Sequence, residues 1–406
     1  ELKKAFERPL DGNSKKLSGE YHTKGVKLLA KVSLGTAVFA TAFSPDSETV
    51  AVGGADGVIR LYDSQSLGLK RAFLSVPMTE EKLPEVIALA VEPQEIQLNG
   101  KFDYTQMLLT AVKANGESYD ASRDFSLTVD SDVIKVSKTG MVEPVKDGEA
   151  KLKIVHKNQT STISVRVTGV SGDFIPDYVR DVMPVLSKLG CNAGTCHGSK
   201  DGKNGFKLSL RGYDPIYDVR AFTDDLASRR VNIAAPDNSL ILLKSSAAVP
   251  HEGGQLTKMG EDYYEILKAW ISNGAKLDTG SVRVASIELF PRNSVVQKIG
   301  DQQQMRVIAT YANGEKRDVT AESFIETGNS DVATTDKTGL VSTERRGEAP
   351  MLARYEGAYA STIVTVMGDR SGFEWQDIPA NNMVDELVAA KLKRTKTLSS
   401  GLASDE

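Results

Sequence analysis

ANGEKRDVTAESFIETGNSDVATTDKTGLV, residues 312–341, restates ANGESYDASRDFSLTVDSDVIKVSKTGMV, residues 114–142. The anchors keep step: Ala114 with Ala312, Ser131 with Ser330, Lys138 with Lys337 and Ser161 with Ser361 stand 198 to 200 positions apart. Around them, alternating stretches such as MLLTAV, KLKIV and TISVRV are bounded by turn residues. A period of two puts the apolar side chains on one face of a strand, so each copy reads as a small antiparallel sandwich. The copies run from about Pro84 to Val170 and from about Ser281 to Gly368.

A chain of 406 residues is long enough for several cores, and its 40% hydrophobic and 26% charged residues are ordinary for a folded protein. Its 34 glycines favour turn-rich β-structure. A net charge of −4 and a pI near 5.8 leave no electrostatic case for nucleic acid or an anionic membrane as partner. No apolar run approaches the ~20 residues of a membrane span, and no signal peptide opens the chain. It begins with Glu1 rather than Met, which reads as a piece of a longer protein.

Between the copies, residues 171–280 switch to helical periodicity. Tyr263, Ile266, Leu267, Trp270 and Ile271 follow the i, i+3, i+4, i+7, i+8 rule for one buried face, and Gly274 ends it. A second helix is expected from about Asp181 to Leu189, with Pro184 tolerated in its first turn. Towards the amino end, VFATAFSPDSETVAVGGADGVIRLYD from Val38 reads as three short strands separated by Ser-Pro-Asp and Gly-Gly-Ala-Asp-Gly turns. From Asn381, NNMVDELVAAKLKRTK starts an amphipathic helix.

Both cysteines and one of four histidines fall within GCNAGTCHG, from Gly190. Cys191, Cys196 and His197 make a C-x4-C-H pattern, two residues longer than the C-x-x-C-H of covalent haem attachment. Gly194 and Ala193 are small enough for the extra residues to bulge outward. Read this way, Cys191 and Cys196 hold haem c covalently, His197 is the proximal iron ligand, and the distal ligand is His251, in PHEGG, ahead of Met259, in LTKMG. Arg211, Arg229 and Arg230 are candidates for propionate contacts. Two other readings stand beside it: a Cys191–Cys196 disulfide in an exported domain, and a zinc site, which lacks a fourth ligand and the usual paired knuckles. His22 and His156 read as ordinary surface histidines. No nucleophile elbow, HExxH or phosphate-binding loop is present.

These motifs carry resemblances. FSPD from Phe43, GGADG from Gly53 and LYD from Leu61 resemble one blade of a WD-repeat propeller, with the last strand of another around Val26 to Val32. The duplicated copies resemble group 2 bacterial immunoglobulin-like domains. PVLSKLGCNAGTCHGSKDGKNGFKLSLRGYDP, PDNSLILLKSS, PHEGG and YYEILKAWISNGA together resemble the cytochrome c-like module of large planctomycete-type secreted proteins. In that family the module precedes conserved domains of unknown function, whose opening VDELVAAKLKR resembles.

The resemblance implies a multidomain chain: two all-β immunoglobulin-like sandwiches (84–170 and 281–368) flanking a mainly α cytochrome c-like domain (171–280). A partial propeller blade (1–76) precedes them, and a linker with the start of a further domain (369–406) follows. It further implies an extracytoplasmic electron-transfer protein, more a carrier than an enzyme, whose partner is a redox protein or a downstream domain. The alternatives are an open-site haem peroxidase or gas sensor, and a non-haem adhesion or scaffold protein with the disulfide.

Overall fold

A computed structural model describes residues 31–55, 57–74, 84–225, 229–368, 370 and 372–400. His22 and most of the Val26–Val32 stretch lie outside the described residues. The chain divides into two units, residues 1–83 and 84–406.

In the first unit, Val38–Phe43, Thr49–Gly54, Val58–Asp63 and Leu69–Leu74 form a four-stranded antiparallel meander in sequence order. Its turns follow from local chemistry: the Asp46 carboxylate accepts the Glu48 N–H at 2.9 Å, and Asp63 accepts the N–H of Ser66 at 3.0 Å. Val52 and Tyr62 are buried, whereas Phe39 and Phe43 on the first strand are exposed.

The second unit contains both sandwiches, and they share one plan. In the first copy, Ser126–Val129, Gly148–His156, Gln159–Thr168 and Glu95–Asn99 make a four-stranded sheet, in that order. Val86–Glu92, Leu108–Lys113 and Ser118–Asp120 make a second sheet, and Ile134–Val136, Met141–Pro144 and Thr105–Gln106 a third. The second copy repeats all three: Phe324–Thr327, Gly347–Tyr355, Ala358–Val366 and Val295–Val296; Val284–Phe290, Arg306–Tyr311 and Lys316–Asp318; Ala333–Thr335, Leu340–Thr343 and Gln302–Gln304.

The long hairpin of each sandwich explains the alternation seen in the sequence. In GEAKLKIVH, Ala150, Leu152 and Ile154 are buried while Glu149, Lys151 and Lys153 are exposed. In GEAPMLARY, Ala349, Met351 and Ala353 take the buried positions. The second hairpin turns through Glu356 (φ 44°) and Gly357 (φ 81°), the two positive φ values of the turn that matches strand twist. Each sandwich has its own apolar core, one around Leu98, Met107, Leu152 and Val165, the other around Met305, Val307, Val341 and Met351.

Residues 171–280 carry short helices joined by long irregular loops. Asp177 caps a π turn, Tyr178–Val182, by accepting the N–H groups of Val179 and Arg180, and the chain continues into α1, Met183–Lys188, with Pro184 in its first turn. Then come α2, Pro215–Thr223, α3, Leu240–Ser245, and α4, Asp262–Ser272. Gly274 (φ 93°) stops α4 as expected. Its buried face is Tyr264, Ile266, Leu267, Trp270 and Ile271; Tyr263 is only partly buried. Near the carboxyl end, α5, Met383–Arg394, is capped by Asn382 and buries no residue.

The expectation of a mainly α cytochrome c-like domain between the sandwiches is corrected. The described residues are mostly β, 36% strand against 16% helix, and the helices between the sandwiches are few and short. Trp270 lies on the buried face of α4. That face is already filled: the Trp270 ring packs against Tyr178 and Phe222 at centroid distances of 5.2 and 5.8 Å. Burying side chains of this size stabilises by about 1.5–3 kcal/mol each, which makes the filled arrangement a core rather than a slot.

Candidate functional site

The two sandwiches meet through equivalent residues. The Gln106 N–H donates to Oδ2 of Asp318 at 2.9 Å, and the Gln304 N–H donates to Oδ2 of Asp120. Gln106 and Gln304 are 198 positions apart, as are Asp120 and Asp318. Each copy thus gives the other one backbone donor and receives it on one carboxylate, which is the reciprocity of a two-fold interface.

The supporting bonds repeat as well. The Gln106 amide donates to the carbonyls of Met107 (2.9 Å) and Thr139 (2.7 Å), and that of Gln304 to Met305 and Thr338 (both 2.9 Å). The free Oδ1 of each aspartate is bound within its own copy, by the N–H of Ser122 or the N–H and hydroxyl of Thr320. Burial pushes the Asp120 carboxyl upward, against the pull of the Gln304 N–H.

Departures from symmetry give the contact a direction. Arg306 pairs with Asp318 at 2.8 Å, where the first copy has Leu108. Arg123 reaches the side-chain oxygen of Gln304 at 2.9 Å. Tyr104 donates to Glu322 at 2.6 Å while accepting the Ala321 N–H at 2.7 Å. Burial raises the Glu322 carboxyl, with Arg317 opposing.

The helical segment is fastened mainly to the second copy. Arg180 forks onto Glu315, one arm at 2.9 Å. Arg317 holds Asp181 at 2.9 Å, and Lys188 donates to the carbonyls of Ser323 and Lys337 at 2.7 and 2.9 Å. Burial lowers Lys188 to about 8. A cleft of about 950 Å³ lies where the three segments meet, walled by Phe102, Phe174, Asp181 and Arg317.

The cysteine loop is a tight knot beside the helical core. The Cys191 N–H donates to the Leu186 carbonyl and the His197 N–H returns to the Cys191 carbonyl at 3.0 Å. Gly198 sits so close that an added Cβ would lie 2.0 Å from the Asn192 oxygen. Both thiols are free, and burial pushes Cys191 up to about 12. His197 bonds through Nδ1 to the Phe206 carbonyl at 3.0 Å and packs on the Phe206 ring. Burial lowers its pKa, and the neighbouring His251 adds to that.

His251 bonds through Nδ1 to the Gly254 carbonyl at 3.0 Å, while Met259 is 68% exposed. Arg211 (φ 58°) and Arg229 are exposed. Arg230 is buried, its guanidinium donating to the carbonyls of Ala221 (2.6 Å) and Gly205 (2.7 Å) and lying over the Phe206 ring. His156, read as a surface histidine, is buried and bonded to Tyr119 at 2.7 Å. Among the described residues, no group of three or more His, Cys, Asp or Glu side chains is placed to hold a metal ion. No helix among them is long and apolar enough to cross a membrane.

Sequence reading missed Gln106, Asp120, Gln304 and Asp318. Their signal was available: identical residue types at one offset, inside a repeat already recognised.

Residues 283–353, within the second sandwich, match the bacterial Ig-like domain (group 2) family. No curated protein matches the chain. Among solved structures, the chain is similar to surface layer protein SbsC, domains 4–9, at 10% identity and a TM-score of 0.29, covering 84% of this chain and 43% of that one. The chain therefore spans less than half of that structure. SbsC domains 5–6 give 10% identity and 0.29, covering 70% and 99%. Drosophila OTK, extracellular domains 3–5, gives 6% and 0.15, covering 81% and 78%.

The electron-transfer reading is corrected with the fold on which it rested. The family match is immunoglobulin-like, and the helices beside the cysteines close on their own aromatic core. Neither the propeller nor the cytochrome resemblance gains support from the comparisons.

Proposed function

We propose that the protein is an extracellular or cell-surface scaffold or adhesion protein, in which paired immunoglobulin-like sandwiches form a stiff mount for the helical segment and its loops. The observation that carries this reading is the reciprocal pairing of Gln106 with Asp318 and Gln304 with Asp120. Tandem domains joined only by a linker move independently unless their interface is large or tightly bonded. Here buried, charge-assisted hydrogen bonds join the copies, and further bonds tie the intervening segment to the second copy. The group 2 immunoglobulin-like match supports the extracellular location.

The test is calorimetry and intact mass on full-length protein from a host able to export and mature haem proteins. The expected result is one cooperative transition covering both sandwiches and the helical segment, with the mass of the polypeptide. Separate transitions for the two sandwiches would contradict the stiff mount. A covalently added haem mass would overturn the scaffold reading.

A further inference from the structure

The contact between the sandwiches is reciprocal, and the helical segment grips one side of it through more side-chain bonds than the other. The helical segment grips the second copy through Arg180 on Glu315, Asp181 on Arg317, Lys188 on two carbonyls and Tyr263 on the Ala321 carbonyl. Among the described residues, its side-chain ties to the first copy are the Phe102–Phe174 ring pair, at 4.7 Å, and the bond from the Ser171 hydroxyl to Asp147. Between the last strand of the first copy, ending at Thr168, and the cap at Asp177, the chain has no regular structure and includes Gly169 (φ 78°) and Gly172. The first sandwich thus has its own core, a docking face bonded to the second copy, and in residues 169–176 an irregular connection that would serve as its hinge in an exchange.

We infer that this face also serves between chains: its second partner is another copy of this protein, the two exchanging first sandwiches so that residues 84–168 of each lie on residues 281–368 of the other. Such an exchange remakes the same bonds, Gln106 to Asp318 and Gln304 to Asp120, across chains. It changes the free energy only through the entropy of association and the strain of the hinge. The inference stands whether or not the protein serves as a scaffold.

Full-length protein labelled in two batches with a donor or an acceptor fluorophore tests it. The batches are mixed, unfolded in urea, refolded over a range of concentrations, and followed by light scattering and energy transfer. The expected result is a dimer that increases with concentration and contains both labels. The variant D120A/D318A, or D120N/D318N where the alanine pair does not fold, is expected to speed the mixing of labels between preformed dimers. It should leave the ratio of dimer to monomer unchanged, because both states contain the same contacts. Monomer at every concentration, label mixing that the variants do not speed, or a dimer that the variants abolish would each overturn the inference.

Discussion

Asp318 accepts the backbone N–H of Gln106 at 2.9 Å across the boundary between the sandwiches, and the same bond recurs with the roles of the copies reversed, from Gln304 to Asp120. A duplicated sequence therefore folds into a duplicated contact. One pair of equivalent carboxylates gives the two sandwiches a fixed relation that no linker would.

The duplication extends to a steric detail. Gly148 (φ 149°) would place an added Cβ 2.9 Å from Cγ2 of Val133, and Gly347 (φ 152°) would place one 2.8 Å from Cγ2 of Val332. Both backbones disfavour an L side chain, and both neighbours are buried valines. Gly148→Ala and Gly347→Ala should each cost about 1–3 kcal/mol. Urea unfolding checks this, and the prediction includes that the two losses are alike.

Arg317 and Asp181 form a largely buried pair, with side chains 15% and 12% exposed. Burial works against the Arg317 charge, and Asp181 together with Tyr355, Tyr311 and Glu322 more than offsets it, leaving its pKa well above the ordinary value. Removing one partner strands the other, so Arg317→Ala should cost about 3–5 kcal/mol. The double variant with Asp181→Ala should cost less than the sum of the singles, which a double-mutant cycle measures.

Glu356 provides a pH prediction. Burial raises its carboxyl from the usual 4.5 to about 7, with Arg283 opposing, and its Oε1 is buried without a hydrogen-bond partner. The folded protein holds this proton more tightly than the unfolded chain does. Its contribution is therefore fully present below the unfolded value of 4.5 and is lost as pH rises through about 7. Stability measured across this window should fall by on the order of 1–3 kcal/mol from this group. Glu356→Gln should flatten that part of the profile.

The two thiols should differ in reactivity. Cys191 is packed against the helical core and its pKa is pushed up to about 12, so it carries almost no thiolate near neutrality. A maleimide at about pH 8 should modify Cys196 before Cys191 in the native protein, and both after denaturation. Peptide mapping of the labelled sites is the check. Fast native labelling of Cys191 would contradict the packing around it.

The sandwiches were legible because their signals are local. Alternation in KLKIV sets which side chains are buried, and Asn, Gly and Asp at matching positions set the turns. The helix ending at Gly274 was legible for the same reason. The pairing of Gln106 with Asp318 was not, because it joins residues 212 positions apart and depends on how two finished sandwiches meet. The helical segment was misread because Cys191, Cys196 and His197 form a local pattern that says nothing about what fills the space beside Trp270. Tyr178 and Phe222 fill it, from elements distant in sequence. Arg230 illustrates the same limit: its guanidinium is bound by the carbonyls of Gly205 and Ala221 inside the segment.

The central claim is the reciprocal bond, and site-resolved amide hydrogen exchange at Gln106 and Gln304 tests it most directly. The account predicts that both amides are protected in the native protein. Asp318→Ala should release Gln106 while sparing Gln304, and Asp120→Ala should do the converse. Rapid exchange of both amides in the unaltered protein, or protection of Gln106 that survives the loss of Asp318, would contradict it.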